Sequence, residues 1–386
     1  MNPALSMNSN GDRKKGGVKV LHVSTHMNIG GIGNYILSLS RATKARGIDV
    51  AVASSGGDLV VELEKSGIRH YGIDIRTKSE LSPKVVKSVF ALAKLIEKEG
   101  VDIVHAHTRV SQVAVFFASR MSGVPYISTC HGFFKTRFRK IFDTWGARAI
   151  AISDAVADHL RDDQGVSAER VEVIYSGIDA ARFAREYSAD EISGIKRSLG
   201  LRPGPVVGSI GRLSPVKGQR FLIEAMRGIV SEIGDAQALI VGNGPDEKSL
   251  KELARSLGLQ DSICFTDAGL DTHKYLSAMD IFVFPSVKEG LGIALLEALA
   301  SGRGCVASGV GGIANIIKDG SSGILVPVGD ADAISRSVLR LLKDAGLRNS
   351  MGKRGRELVR ERFLLDDMAG NIIELYKEVL EGRYGK

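Results

Sequence analysis

Only three cysteines, Cys130, Cys264 and Cys305, occur in 386 residues. Their odd number and wide spacing argue against a disulfide framework and against a zinc site, so a reducing compartment is expected. No apolar run approaches the ~20 residues that a bilayer-spanning helix needs. Residues 1–17 are polar and lack a hydrophobic core segment, so they read as a tail rather than a signal peptide; a cytoplasmic location follows as the expectation. An acidic excess is also missing: 52 Lys and Arg outnumber 44 Asp and Glu, a net charge of +8. That balance favours an anionic partner, whether nucleotide, nucleic acid or lipid headgroup. No nucleic-acid-binding motif accompanies the charge, and no nucleic-acid partner is expected.

The length exceeds the ~250–300 residues at which a single core stops growing, so two domains are the default. A strand at 18–23 runs into the turn H-M-N-I-G-G-I-G-N and a helix carrying Ile36, Leu37 and Leu39. Gly30, Gly31 and Gly33 suggest a dinucleotide fingerprint, but Ile36 occupies the third glycine position and the strand at 50–53 ends without an acid for a ribose. A second near-match, Gly309, Gly311 and Ala314 with Asp330 downstream, leaves roughly 20 residues where a βαβ unit wants ~30. Strands follow at 101–107, 125–129, 149–153 and 171–174, with a helix after Ser111. Alternation of this kind gives an α/β fold with parallel sheets. Residues 180–205 are charged and interrupted. The alternation then restarts with a strand from Pro205, a helix at 219–230, a strand at 238–241, a helix at 246–256 and a strand at 263–265. The expected division is a tail at 1–17, a first domain at 18–185, a linker at 186–204, a second domain at 205–362 and a terminal helix at 363–386. Two similar units in tandem, with a cleft between them, are the expected shape.

Residues 280–302, D-I-F-V-F-P-S-V-K-E-G-L-G-I-A-L-L-E-A-L-A-S-G, carry the densest chemistry. They read as strand, glycine-rich loop and helix, with Gly302 suited to the helix C-terminus. The loop therefore lies at a strand's carboxyl end, where open α/β sheets bind ligands and where a helix N-terminus offers N–H groups to an anion. Glu297 is the one polar side chain of an otherwise apolar helix. Either it accepts hydrogen bonds from paired sugar hydroxyls, which offsets the cost of placing a carboxylate among apolar groups, or it faces solvent as a good helix former.

Pro285-Ser286, Glu289 and Glu297 seven residues apart, and Ala300-Ser301-Gly302 together resemble the E-x7-E signature of retaining glycosyltransferases of family 4. The resemblance extends from Val18 to about Leu380 and implies the GT-B fold, two Rossmann-like domains with parallel sheets facing a central cleft. It implies that Glu289 contacts the donor sugar and Glu297 the ribose. Gly290, Leu291 and Gly292 are expected against the donor, as are Gly30 and Gly31 in the first domain. Arg212 and Lys217, in G-R-L-S-P-V-K-G after a strand, are similar to the family's R-x4-K; a planar fork and a compact cation there suit the charge that grows on a departing diphosphate. Gly242 and Gly244 in V-G-N-G-P resemble the G-x-G-P loop beside the nucleoside, although the stretch is also simply a good turn. His131, in T-C-H-G at a strand end, is similar to the family's histidine near the sugar hydroxymethyl. The last helix is implied to cross back onto the first domain through Ile372, Ile373, Leu375, Tyr376 and Leu380. Gly304 stands where the family usually has Pro, and Asn315 where an acid often follows Gly311-Gly312.

Other motifs are read as structural. His105 and His107 alternate with apolar residues on one strand; as a His-x-His pair they lack a third metal ligand nearby. Asp330-Ala331-Asp332 spells a metal-binding D-x-D, but it opens a helix and is read as a cap. No metal and no cofactor are expected; the resemblance implies a nucleotide sugar, with UDP as the working nucleotide, as substrate, and a glycan or lipid-linked glycan of the cell envelope is expected as the acceptor. Residues 133–145, F-F-K-T-R-F-R-K-I-F-D-T-W, place Phe134, Phe138, Ile141, Phe142 and Trp145 on one helical face with four cations on the rest. This face suits an anionic membrane surface, and equally an ordinary protein core. Two further functions stay open: a nucleotide-sugar epimerase, which needs no acceptor, and a catalytically silent sugar-nucleotide-binding subunit.

Overall fold

A computed structural model describes residues 17–134, 143–269 and 271–382. It divides into two compact units, Met1–Gly177 with Leu365–Lys386, and Ile178–Leu364.

Among the described residues, the first unit holds seven parallel strands: β1 (Lys19–Val23), β2 (Asp49–Ser54), β3 (Arg69–Gly72), β4 (Ile103–Ala106), β5 (Tyr126–Cys130), β6 (Ala149–Ala151) and β7 (Val171–Val173). Their order is β3-β2-β1-β4-β5-β6-β7. The central strands are buried runs because helices cover both faces. Successive residues point to opposite faces: Val20, Val50, Val52 and Ile103 pack under the helices Gly31–Ala45 and Leu365–Leu380, whereas Leu21, Ala51, Val104 and Ala106 pack under Pro83–Glu99 and Arg109–Ser122. The helix Leu365–Leu380 docks on the first unit, as the family resemblance implies. Ile372, Ile373, Leu375 and Tyr376 are buried, and Leu380 packs at the edge of the same core.

The second unit holds β8 (Val206–Ile210), β9 (Gln237–Val241), β10 (Ile263–Thr266), β11 (Ile281–Phe284), β12 (Gly304–Ser308) and β13 (Ile324–Val326), ordered β10-β9-β8-β11-β12-β13. In both sheets the chain builds outward in one direction and then restarts on the other side of the first strand. The reversals fall between β1 and β4 and between β8 and β11. Loops leaving the carboxyl ends of such strand pairs diverge and leave room for a ligand. The stretches after β8 and β11 are those that hold Arg212, Lys217 and Glu289.

The division differs from the one expected. The first unit ends at Gly177, and 178–204 belong to the second unit. Residues 186–204 are no bare linker: the helix Ala189–Ser198 lies within them, opened by a capping box in which Ser188 and Glu191 bond each other's backbone N–H. Asp330 accepts a hydrogen bond from the Ala333 N–H at 2.7 Å, the cap expected of it. Of the proposed membrane-facing helix, residues 135–142 lie outside the described residues. Trp145, expected on its apolar face, is buried at 2% exposure, which removes it from any lipid-facing surface.

Candidate active site

In the second unit the loop after β8 folds against the loops after β9 and β11. Gly218 has φ 65°, and a Cβ there would lie 2.0 Å from the Pro285 carbonyl oxygen, so only glycine lets Lys217 approach the β11 loop this closely. The Val287 N–H then donates to the Val216 carbonyl at 2.9 Å. The result is a direct ion pair across the reversal: Lys217 Nζ donates to Glu289 Oε2 at 2.5 Å, with both groups largely sheltered. Ser286 Oγ donates to the same oxygen at 3.3 Å. Lys217 Nζ also lies 5.6 Å from the centre of the Phe284 ring. Arg212, on the same loop, is exposed; its carbonyl is held by Gln219 Nε2 at 3.1 Å.

Gly242 and Gly244 serve the packing of their own loop. A Cβ at either would lie 2.0 Å from backbone oxygen, that of Gly211 and that of Leu213 respectively. They seat the β9 loop on both sides of Arg212, so loop packing, and not ligand approach alone, demands them. Gly290 and Leu291 are buried, and Gly292, at φ 107°, opens the helix Ile293–Ala300.

Glu297 stands within that helix and is half-buried. Enclosure of its carboxyl pushes its pKa from the ordinary 4.5 up to about 7, partly opposed by a hydrogen bond from Thr272 and by the charge of Arg182. A solvent-facing helix former would show no such displacement, so the structure favours the enclosed reading.

In the first unit His131 follows β5 and is half-buried. Tyr35, on the helix that Gly31 begins, meets its ring edge-on with centroids 4.7 Å apart. Gly30, at φ 156°, and Gly31 are exposed at that helix's start. His131 also belongs to a stack that the spacing of His105 and His107 does not reveal. His22 on β1 is the register partner of His105 on β4, and it supplies the third ring that the His-x-His pair lacked. Ring nitrogens of His22, His105 and His107 lie within 4.8 Å of one another. A metal would require one nitrogen from each, but both nitrogens of His105 are engaged at 2.7 Å, by the Tyr376 and Thr129 hydroxyls. His22 Nδ1 meets His107 Nε2 at 2.9 Å, and His107 Nδ1 meets His131 Nε2 at 3.4 Å. The donor sets are thus those of a hydrogen-bonded stack. Burial drives the pKa of His22 and of His131 down to about 3 and those of His105 and His107 well below the usual value, so all four rings are neutral at physiological pH.

The family model described as Glycosyltransferase Family 4 matches residues 29–182, and that described as Glycosyl transferases group 1 matches residues 194–358. Alpha-maltose-1-phosphate synthase of Mycolicibacterium smegmatis is 31% identical over 73% of this chain and 80% of its own length. UDP-Gal:alpha-D-GlcNAc-diphosphoundecaprenol alpha-1,3-galactosyltransferase of Escherichia coli is 26% identical over 94% of this chain and 97% of its own. The structure of Anabaena Alr3699/HepE in complex with UDP and glucose superposes with a TM-score of 0.82 at 23% identity, covering 93% of this chain and 99% of that one, and shows the GT-B fold. With two parallel-sheet halves and matches over both, the chain belongs to the group 1, family 4 glycosyltransferases.

Proposed function

We propose that this glycosyltransferase moves a hexose, with retention at the anomeric carbon, from a UDP-sugar to a hydroxyl of a glycan or lipid-linked glycan in envelope polysaccharide or lipopolysaccharide synthesis. The observation that carries the reading is the Lys217–Glu289 pair at the sheet reversal, with Arg212 on the same loop. A cation held there before the donor arrives needs no reorganisation as negative charge grows on the departing diphosphate. In this reading the bond from the anomeric carbon to the diphosphate oxygen breaks, the acceptor oxygen forms its bond on the same face, and the acceptor proton passes to the departing phosphate. Glu289 holds the sugar, Glu297 the ribose, and His131 takes the sugar contact that the family pattern assigns to it. The uridine is supported by the UDP bound in the Anabaena structure, and the lipid-linked acceptor by the GlcNAc-diphosphoundecaprenol on which the Escherichia coli relative acts.

The test is product analysis with UDP-hexoses and a polyprenyl-diphosphate-linked acceptor. NMR of the new linkage is expected to show the donor's anomeric configuration; an inverted product, or sugar isomerised with no acceptor consumed, overturns the reading. Activity lost in EDTA and restored by Mn²⁺ would overturn the metal-free part. No helix among the described residues is long and apolar enough to cross a membrane. Peripheral contact through the basic and aromatic segment beyond Phe134 is proposed instead. Wild-type protein is expected to sediment with anionic vesicles more than with neutral ones, and equal sedimentation would remove that contact.

A further inference from the structure

His131 carries a chain of two further rings whose ends are unequal. Among the described residues, the buried His22 Nε2 has no hydrogen-bond partner, whereas the far end of the chain is Nδ1 of the half-buried His131. Three neutral imidazoles bring one N–H each. Two of the hydrogens fill the two junctions, His22 to His107 and His107 to His131, and the third must stand at one end. If the hydrogens run inward, the third sits on His22 Nε2 as a buried donor with nothing to receive it. Orphaned buried N–H groups are among the rarest features of native proteins, rarer than under-used acceptors. If they run outward, His22 Nδ1–H donates to His107 Nε2, His107 Nδ1–H donates to His131 Nε2, and His131 holds its own hydrogen on Nδ1.

We infer that His22 and His107 are positioning residues that lock His131 as its Nδ1–H tautomer, so that His131 meets the sugar as a fixed hydrogen-bond donor. Free neutral imidazole prefers the hydrogen on Nε2, so the lock opposes the intrinsic preference. The rings around it restrict rotation: Tyr35 lies edge-on to His131 and tilted by 60° against His107, and the His107 ring lies 4.2 Å from that of His105, itself pinned by Thr129 and by Tyr376 of the helix Leu365–Leu380. The second half of the inference rests on the sugar contact proposed for His131; the tautomer itself does not.

Protein labelled with ¹⁵N-histidine separates the two. Two-bond ¹⁵N–¹H spectra of the full chain without donor report each tautomer, and His131→Gln identifies the signal. Wild-type His131 is expected to show the Nδ1–H pattern. His107→Phe keeps a ring but removes both junctions, and His131 should then relax to Nε2–H. His22→Phe should weaken the lock, and His22→Asn, whose amide N–H replaces Nδ1–H, should restore it. Turnover should fall about tenfold in His107→Phe and recover in His22→Asn relative to His22→Phe, the scale of one neutral hydrogen bond. An Nε2–H pattern in the wild type, or an unchanged His131 signal in both phenylalanine variants, overturns the lock. A lock confirmed by NMR with no change in turnover would overturn the sugar contact and leave the tautomer standing. If His107→Phe does not fold, the His22 pair gives the same two readouts.

Discussion

Lys217→Ala is expected to lower kcat by about 10²–10³-fold, the range seen when one preorganised electrostatic donor is removed, while the apparent affinity for donor changes much less. The geometry makes the effect steep. Lys217 is in contact with Glu289 at 2.5 Å, so its removal takes away a cation and also leaves an uncompensated carboxylate beside the place where diphosphate charge develops. Both consequences raise the barrier more than they weaken ground-state binding. In Lys217→Ala combined with Glu289→Gln, part of the loss should return, because the repulsion is gone; additive losses would show that the pair is not coupled. Arg212→Ala should act in the same direction. It is exposed and free to follow the departing group, so its loss should also show in kcat rather than in binding. Wild-type turnover in both single variants would remove the clamp.

Donor affinity is expected to rise about tenfold between pH 6 and pH 8, because the form of Glu297 that accepts hydrogen bonds from a ribose is the carboxylate, and its pKa of about 7 leaves it mostly protonated at the lower pH. Donor binding should release a proton, visible as a dependence of calorimetric heat on buffer ionisation enthalpy. In Glu297→Gln both the pH dependence and the proton release should vanish. In Glu297→Ala affinity should fall by roughly 1.5–3 kcal/mol for each charge-assisted bond lost. The sign for stability is opposite. The folded pKa lies above the ordinary 4.5, so the folded apoprotein binds more protons in that interval. Its contribution is complete below about pH 4.5 and is lost as pH rises through about 7. The apoprotein should therefore lose stability relative to Glu297→Gln over that window and regain it with donor present. A donor affinity flat in pH would remove Glu297 from the ribose.

The loops were more legible in the sequence than the sheet that aligns them. The strand-loop-helix units after β8, β9 and β11 announce themselves because each strand is a short apolar run closed by glycine or proline. The edge strand Arg69–Gly72 does not, since R-H-Y-G has neither an apolar run nor alternation, and its residues are half-buried or exposed. His22 is hidden for a related reason: it lies 83 positions before His105, and only the parallel pairing of V-L-H-V with I-V-H-A brings the two rings together. Aligning those two strings would have found it. The helix Ala189–Ser198 was hidden by the charge around it, although Ser188 and Glu191 spell a capping box. Spacing alone puts Trp145 on a helical face, and spacing does not distinguish a lipid-facing side from the core-facing one where Trp145 is buried.

The chain leaves the first unit at Gly177 and comes back to it only at Leu365. During synthesis, the groove that receives the terminal helix must stay open while 187 intervening residues are made, since Leu365–Leu380, 16 residues long, closes that core last. Met368, Ile372 and Tyr376 are buried in that core, and Tyr376 completes the hydrogen bonding of His105 across 271 positions. A nascent chain that stalls before Leu365 therefore presents an unfinished apolar surface, which the sixteen residues of this helix cover.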